Sequence, residues 1–307
     1  MPHERFIDKG TAMNDNTHIF SVIIPHHEIP ALLQRCLDSI PDVPEVQVIV
    51  VDDNSSEQKV DFEQFPGLGR KYTQCIFDKE GGGAGHARNI GMKHADGKWL
   101  VFADADDFFT KDAFQILDSH KDDSYDIILF KADSVDSDDY SPSDRHLQLN
   151  EAIDKAQAGR ITAKEPVLIM PVPWCKMMRR EYIQRKEVLF DEVYAANDVM
   201  FVTKATCWAD DEAVTTSPEV LYTVTTRKNS LFDSNRNNPD NFLCRLEVQM
   251  RRNKFIAPYP FPKRPIIVQV FRALKFGPKT FCKAFALGIK YRVLFSGTST
   301  IFKKLFH

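Results

Sequence analysis

At 307 residues, with 43% hydrophobic and 27% charged side chains, the chain is long enough for one large α/β domain or two smaller ones. Its six scattered cysteines form no C-x-x-C pair, so neither a zinc site nor a disulfide framework is signalled and a reducing compartment is the simplest setting. The net charge of −3 hides an asymmetry. Residues 251–307 hold thirteen of the forty Lys and Arg and no Asp or Glu, leaving 27 basic against 43 acidic side chains before them. An acidic body of this kind speaks against nucleic acid as a partner. No apolar run reaches the roughly 18 residues of a spanning helix, and no signal peptide is visible.

Residues 1–18 are polar and aperiodic, a flexible N-terminal arm in which Met13 is an alternative start. Ile19 to Ile24 read as a strand stopped by Pro25, and Pro30 opens a helix with Leu32, Leu33, Cys36, Leu37 and Ile40 on one face. Val46 to Val51 form a second buried strand that ends in Asp52 and Asp53, followed by the turn residues Asn54, Ser55 and Ser56. Strand, helix and strand with short links predict a parallel sheet. A carboxylate at such a tip either accepts hydrogen bonds from a ribose hydroxyl or a base N–H, or caps a turn. Gly81, Gly82, Gly83 and Gly85 then precede a helix read over Ala87–Ala95. Such a loop allows close approach to phosphate, yet it lacks the Gly-Lys-Ser/Thr ending of a P-loop, and a tight turn explains it equally well. Arg88 beside it can pair with phosphate or with an acidic cluster. Lys98 to Phe102 is a strand running into Asp104, Asp106 and Asp107. Carboxylates at that position suit a divalent cation bridging to phosphate, or form an acidic helix cap.

Further on, Lys111–His120 reads as a helix, Asp126–Phe130 as a strand, and the acidic Ser/Asp tract Asp133–Asp144 as an exposed loop. Trp174 is a sugar platform or a core residue, and Lys176 meets phosphate or is exposed. Asn197 and Asp198 can cap a helix, and Asp198 can serve as a general base. Val220–Val224 reads as a strand, followed by Thr226-Arg227-Lys228-Asn229-Ser230, where Arg227 closes over an anion or belongs to a basic loop. After Pro258, Pro260, Pro262 and Pro265, the residues Arg272, Lys275, Lys279, Lys283 and Lys290 share one helical face, and Phe281, Phe285, Ile289 and Val293 line another. Pro278 divides the stretch into two short helices. A basic amphipathic element either lies on an anionic membrane surface or packs on the acidic body of its own chain.

Taken together, the order strand–Pro25, Val50-Val51-Asp52-Asp53-Asn54-Ser55, Ala87-Arg88-Asn89-Ile90-Gly91 and Phe102-Ala103-Asp104-Ala105-Asp106-Asp107 resembles glycosyltransferase family 2. The likeness is specific over residues 19–110 and looser to about residue 235, and it extends to bacterial capsular and exopolysaccharide enzymes. It implies a GT-A fold: α/β, with a Rossmann-like, mixed but mostly parallel sheet flanked by helices. Residues 19–110 would be the nucleotide-sugar half, 111–250 the acceptor half and 251–307 a basic amphipathic helical tail. The implied activity is a metal-dependent, inverting transfer of a hexose or N-acetylhexosamine from a UDP-sugar to a growing cell-surface polysaccharide or lipid-linked glycan.

The resemblance also implies roles. Asp53 meets uracil and ribose, with Asp52 nearby and Pro25, His27, Glu28, Gly83, Arg88 and Arg227 around the donor. Asp106 holds Mg²⁺ or Mn²⁺, and Asp104 adds a metal contact or meets ribose or an ordered water. Trp174, Lys176 and Asn197 border the acceptor, and Asp198 maps to the catalytic base. His27 stands where the family has an aromatic residue, Cys175 where Asn is common, and Asn197 where Glu is expected. The implied location is cytoplasmic, on the inner face of the cell membrane through residues 265–307, with a homodimer left open. Two rivals remain: a sugar-nucleotide nucleotidyltransferase, whose Gly-rich signature is missing from residues 25–35, and a carbohydrate- or lipid-binding module without turnover.

Overall fold

The structure, a computed structural model, describes residues 18–227 and 238–298, so the N-terminal arm with Met13 and the stretch Lys228–Ser230 lie outside the described residues. Its eight strands are β1 (Phe20–His26), β2 (Val46–Asp53), β3 (Thr73–Asp78), β4 (Trp99–Phe102), β5 (Phe108–Phe109), β6 (Ile127–Asp136), β7 (Lys176–Arg179) and β8 (Val214–Thr226). They form one sheet in the order β3-β2-β1-β4-β7-β6-β8-β5. The pairs among β1 to β4 are parallel, as is β6 with β8, whereas β7 runs antiparallel to both neighbours. Helices α1 (Pro30–Asp38), α2 (Gly83–His94), α3 (Ala113–Ser119), α4 (Leu147–Gln157), α5 (Lys164–Ile169), α6 (Arg180–Arg185) and α7 (Asn197–Trp208) connect or flank the strands. Three more follow: α8 (Pro239–Phe255), α9 (Ile266–Arg272) and α10 (Pro278–Tyr291).

All of β1 is buried, as expected of a central strand covered on both faces. It continues through Pro25 to His26, which pairs with Asp52, instead of stopping at the proline. Proline is tolerated there because pairing with β4 ends at Ile23 and Phe102, leaving Pro25 a ladder partner on one side. The edge strand β3 has an apolar run of only three residues, Cys75 to Phe77, and its residues are half-buried or exposed, so no buried-strand pattern announces it. β6 runs six residues beyond Phe130, pairing Asp133–Asp136 with Thr223–Thr226 of β8. The first part of the acidic tract is therefore strand, with Ser134 buried.

Helix α2 starts at Gly83, earlier than its apolar pattern suggests. Gly85 lies so close to the 191–197 segment that an added Cβ would sit 2.2 Å from the Asp191 carbonyl oxygen. The reversal at β7, with Val101 opposite Met177, brings Lys176 to the end of the sheet where β4 delivers Asp104.

The tail folds as helices with a small core of their own. Leu246 and Met250 of α8 pack with Ile266, Val270, Ala273, Ala284 and Val293. α8 in turn rests on α7 through Val248, Val199 and Met200. Pro278 opens α10 after Gly277, as the sequence indicates. Val293 leaves the expected apolar line, because the chain turns at Arg292 (φ +58°) and carries Val293 inward. Among the described residues, no helix is long and apolar enough to cross a membrane.

Candidate active site

The tips of β1 and β2 are locked by a buried network. His26 Nε2 accepts the Ile29 amide at 3.1 Å, so Nδ1 carries the proton and donates to Asp52 Oδ1 at 2.8 Å. Ser55 donates its hydroxyl to Asp52 Oδ1 (2.6 Å) and its amide to Oδ2 (3.0 Å), while its Oγ accepts the Glu28 amide (2.8 Å). Burial alone would raise the Asp52 pKa, but the His26 and Ser55 hydrogen bonds outweigh it and hold the carboxyl below its usual range. Asp52 is fully buried and points inward, where it ties the two tips together. Pro25 is also buried, and having no N–H it offers a nucleotide little beyond its carbonyl.

The next residues along the two tips, His27, Glu28 and Asp53, are less buried. His27 is exposed and donates Nδ1–H to the Asp53 carbonyl at 2.8 Å. Glu28 pairs with Lys59 at 2.6 Å. Asp53 Oδ1 accepts the Gly83 amide at 3.0 Å, which ties the β2 tip to the start of α2.

The acidic turn after β4 is gripped by two arginines. Arg88 of α2 donates to Asp104 Oδ1 at 2.5 Å and to Asn197 Oδ1 at 3.0 Å. Arg227 lies 3.3 Å from Asp106 Oδ2. Burial raises the Asp106 pKa and the Asp104 carboxylate adds to the rise, with Arg227 opposing. Asp107 is buried, accepts the Thr225 amide at 2.7 Å and is pushed well up by burial and by its two acidic neighbours.

Three residues that the sequence does not single out support this turn. Arg35 of α1 donates to the Asp106 carbonyl (2.5 Å) and to the Ser137 carbonyl (3.2 Å). The Tyr222 hydroxyl accepts the Asp104 amide (2.8 Å), and the Thr225 hydroxyl donates to the Asp106 carbonyl (2.7 Å). Their partners lie 71 to 119 residues away in the chain, and no local pattern marks them.

Ala196, at φ +57°, precedes α7, and no side chain caps that helix. The capping reading of Asn197 and Asp198 therefore falls away. Asn197 accepts from Arg88, and Asp198 stands half-buried in the first turn. Burial raises the Asp198 pKa; Arg88 opposes this and the Asp104 carboxylate adds to it. Arg245 of α8, whose Nε donates to Asn241 at 2.7 Å, lies within electrostatic reach of Asp198, and nothing in its sequence surroundings foretells it. The preceding loop is held from the same helix. Arg251 makes a two-pronged pair with Asp191 at 2.8 and 3.0 Å, and Cys244 Sγ donates to the Ala195 carbonyl at 3.6 Å.

The structure does not place Trp174 and Lys176 where an acceptor could touch them. Trp174 is 3% exposed and stacks on Tyr222 with ring centres 5.9 Å apart. Lys176 is fully buried, its Nζ donating to the carbonyls of Val172 (2.6 Å) and Trp174 (3.3 Å). Lys176 opens β7 and pairs with Leu129 of β6.

Asp104 and Asp106 offer hard oxygens, and their mutual repulsion is what a cation relieves. Two carboxylates with substrate phosphates form a usual Mg²⁺ set, so these residues fit such an ion. Among the described residues, Asp78, Glu80 and His86 also bring ligand atoms within 4.8 Å of one another beside the glycine loop. There Asp78 already accepts the Glu80 and Gly81 amides, and His86 Nδ1 lies 3.2 Å from Glu192.

The sequence model "Glycosyl transferase family 2" matches residues 21–185. Poly(ribitol-phosphate) beta-N-acetylglucosaminyltransferase TarS of Staphylococcus aureus is 27% identical over 73% of this chain. The glycosyltransferase EpsJ of Bacillus subtilis is 28% identical over 69% of it. The matched regions span 38% of TarS and 62% of EpsJ. Among solved structures, TarS in complex with UDP-GlcNAc superposes with a TM-score of 0.64 at 18% identity, covering 90% of this chain and 81% of that one. The mannosyltransferase PcManGT of Pyrobaculum calidifontis, in complex with GDP-Man and Mn²⁺, gives 0.53 at 15% identity, covering 97% and 83%. These two likenesses establish a shared fold.

Proposed function

The chain belongs to glycosyl transferase family 2, and we propose that it moves a hexose or N-acetylhexosamine from a UDP-sugar to a growing cell-surface polysaccharide or lipid-linked glycan, inverting the anomeric carbon. One observation carries the reading. Arg88 spans from Asp104, on the donor-side acidic turn, to Asn197 at the head of α7, so the acidic turn and Asp198 stand around one guanidinium. The poly(ribitol-phosphate) named as the acceptor of TarS supports a polymeric acceptor class.

Asp198 takes the proton of the acceptor hydroxyl as that oxygen attacks C1 of the donor sugar. Its raised pKa makes it a stronger proton acceptor than an ordinary carboxylate. Asp53 and His27 hold the nucleotide at the strand tips, with Glu28 and the Gly83 end of α2 bordering it. Asp104 and Asp106 would hold Mg²⁺ or Mn²⁺, which when bound offsets the charge of the departing nucleoside diphosphate. Arg227 flanks the diphosphate from the Asp106 side, and Asn197 meets the acceptor beside the base. The chain works in the cytoplasm, attached to the inner face of the membrane by its basic tail.

The test is turnover of a panel of nucleotide-sugars with Mn²⁺ by the full chain and by Asp198→Asn. Loss of the base should lower kcat by about 10²–10⁴ while UDP binding stays intact. A variant with wild-type turnover removes Asp198 from the mechanism. A wild type that binds UDP-sugars without consuming them would instead be a binding module.

A further inference from the structure

We propose that the chain docks on anionic lipid bilayers through a single ridge, built from Phe271, Phe281, Phe285 and Ile289 and edged by Lys279 and Lys283. The inference deepens the membrane placement proposed above, by assigning the surface that makes the contact.

Phe271, Phe285 and Ile289 are 57%, 39% and 58% exposed, a large apolar display for helices that already own a packed core. These residues are contiguous. The rings of Phe271 and Phe281 lie 5.8 Å apart, those of Phe281 and Phe285 6.2 Å apart, and Ile289 follows one turn along α10. Contiguous apolar surface marks an interaction site where scattered residues do not. The side of α10 about 100° round from this line is spent internally, with Thr280, Ala284 and Gly288 buried and Phe281 packed at its border. The ridge is thus the outer face of a finished helical layer and not a gap in its packing.

Charge selects the occupant. Lys279 and Lys283 are exposed and lie roughly 120° round the helix from the Phe285–Ile289 line, from where their long side chains would reach lipid headgroups. Residues 251–307 contain no Asp or Glu. Of the acidic groups on α8, against which α10 packs, Glu247 is taken up by Tyr291 (2.5 Å) and Lys290 (3.4 Å). Aromatic and aliphatic groups inserted at the interface beside lysines on its polar edge are what an interfacial helix requires.

The full chain is sedimented with vesicles of phosphatidylcholine alone or mixed with phosphatidylglycerol, with no donor or acceptor present. Binding should require phosphatidylglycerol and weaken as salt is added. Lys279→Gln with Lys283→Gln should weaken it by about 30-fold, roughly fivefold per lysine. Phe285→Ser with Ile289→Ser should weaken it by roughly tenfold or more. All four sites are exposed, so thermal midpoint and UDP binding should hold in both variants. The proposal is overturned if the wild type ignores anionic vesicles or if both variants bind like it. It is equally overturned if the wild type is a dimer that Phe285→Ser with Ile289→Ser dissociates while vesicles are ignored, since the ridge then belongs to a second copy. Vesicle binding without sugar transfer supports the docking surface and counts against the glycosyl-transfer reading alone.

Discussion

Exchanging Lys176 for Met tests how much a charged side chain costs at the centre of this sheet. Burial lowers the Lys176 pKa from 10.5 to about 8, against the smaller pull of Cys175 and Asp198. At about 1.4 kcal/mol for each tenfold change, holding that proton inside the fold costs about 3 kcal/mol near neutral pH. The sign follows from linkage: the unfolded chain binds the proton more tightly, so stability rises with pH. The cost is fully present below the folded pKa of about 8, fades above it and is gone beyond 10.5. Met fills much of the same space without charge, but it strips the Val172 and Trp174 carbonyls of their donor, at about 1–3 kcal/mol. The two effects nearly cancel at about pH 7. By about pH 10 the wild type has regained roughly 2–3 kcal/mol that the variant cannot, so the variant falls behind by that amount. Urea denaturation of both proteins across this range isolates Lys176, because every other titrating group is common to the pair. A difference that stays flat with pH would refute the reasoning. A raised acceptor KM at unchanged stability would return Lys176 to the acceptor.

Two other expectations follow from the site. Asp198 works as a base only when deprotonated, and its pKa is raised, so the acid limb of kcat/KM should lie above 3.8 and disappear in Asp198→Asn; a limb at or below that value contradicts the assignment. Gly85→Ala would drive a methyl group to within 2.2 Å of the Asp191 carbonyl oxygen. It should cost about 1–3 kcal/mol in denaturant titration and lower kcat more than it raises donor KM; unaltered stability and rate would show that the two segments do not need to meet.

Much of residues 19–110 could be read from the sequence because the information there is local. The apolar runs of β1, β2 and β4 are buried on both faces, and each is followed at once by the polar residues of its own tip. Lys176 and Trp174 show the limit of that reading. A lysine two residues after a tryptophan looks like surface chemistry until β7 inserts between β4 and β6 and the Val172 and Trp174 carbonyls take up its ammonium in the interior. The same holds for Asp52, whose side chain looks equivalent to that of Asp53. The pleat sends alternate side chains to opposite faces, so one joins His26 in the interior and the other meets the glycine loop. Arg35, Tyr222 and Arg245 were invisible for another reason: each acts on a partner brought near by the fold alone. β3 and the far end of β6 escaped notice because edge pairing and polar strand ends carry no apolar period.

The clamp that α8 places on the loop before α7 ties two distant properties together. Ala196 adopts a left-handed backbone that an alanine resists by roughly 1 kcal/mol, and it does so immediately before Asn197 and Asp198. Arg251 on Asp191 and Cys244 on Ala195 hold that bend from outside, and α9 and α10 cover the opposite side of the same helix. Cutting away the last two helices would therefore loosen the bend beside Asp198 as well as remove the ridge proposed to meet lipid. A truncated enzyme that loses activity could be soluble and blunt for one shared mechanical cause, and point changes on the outer ridge are what keep adhesion and turnover separable.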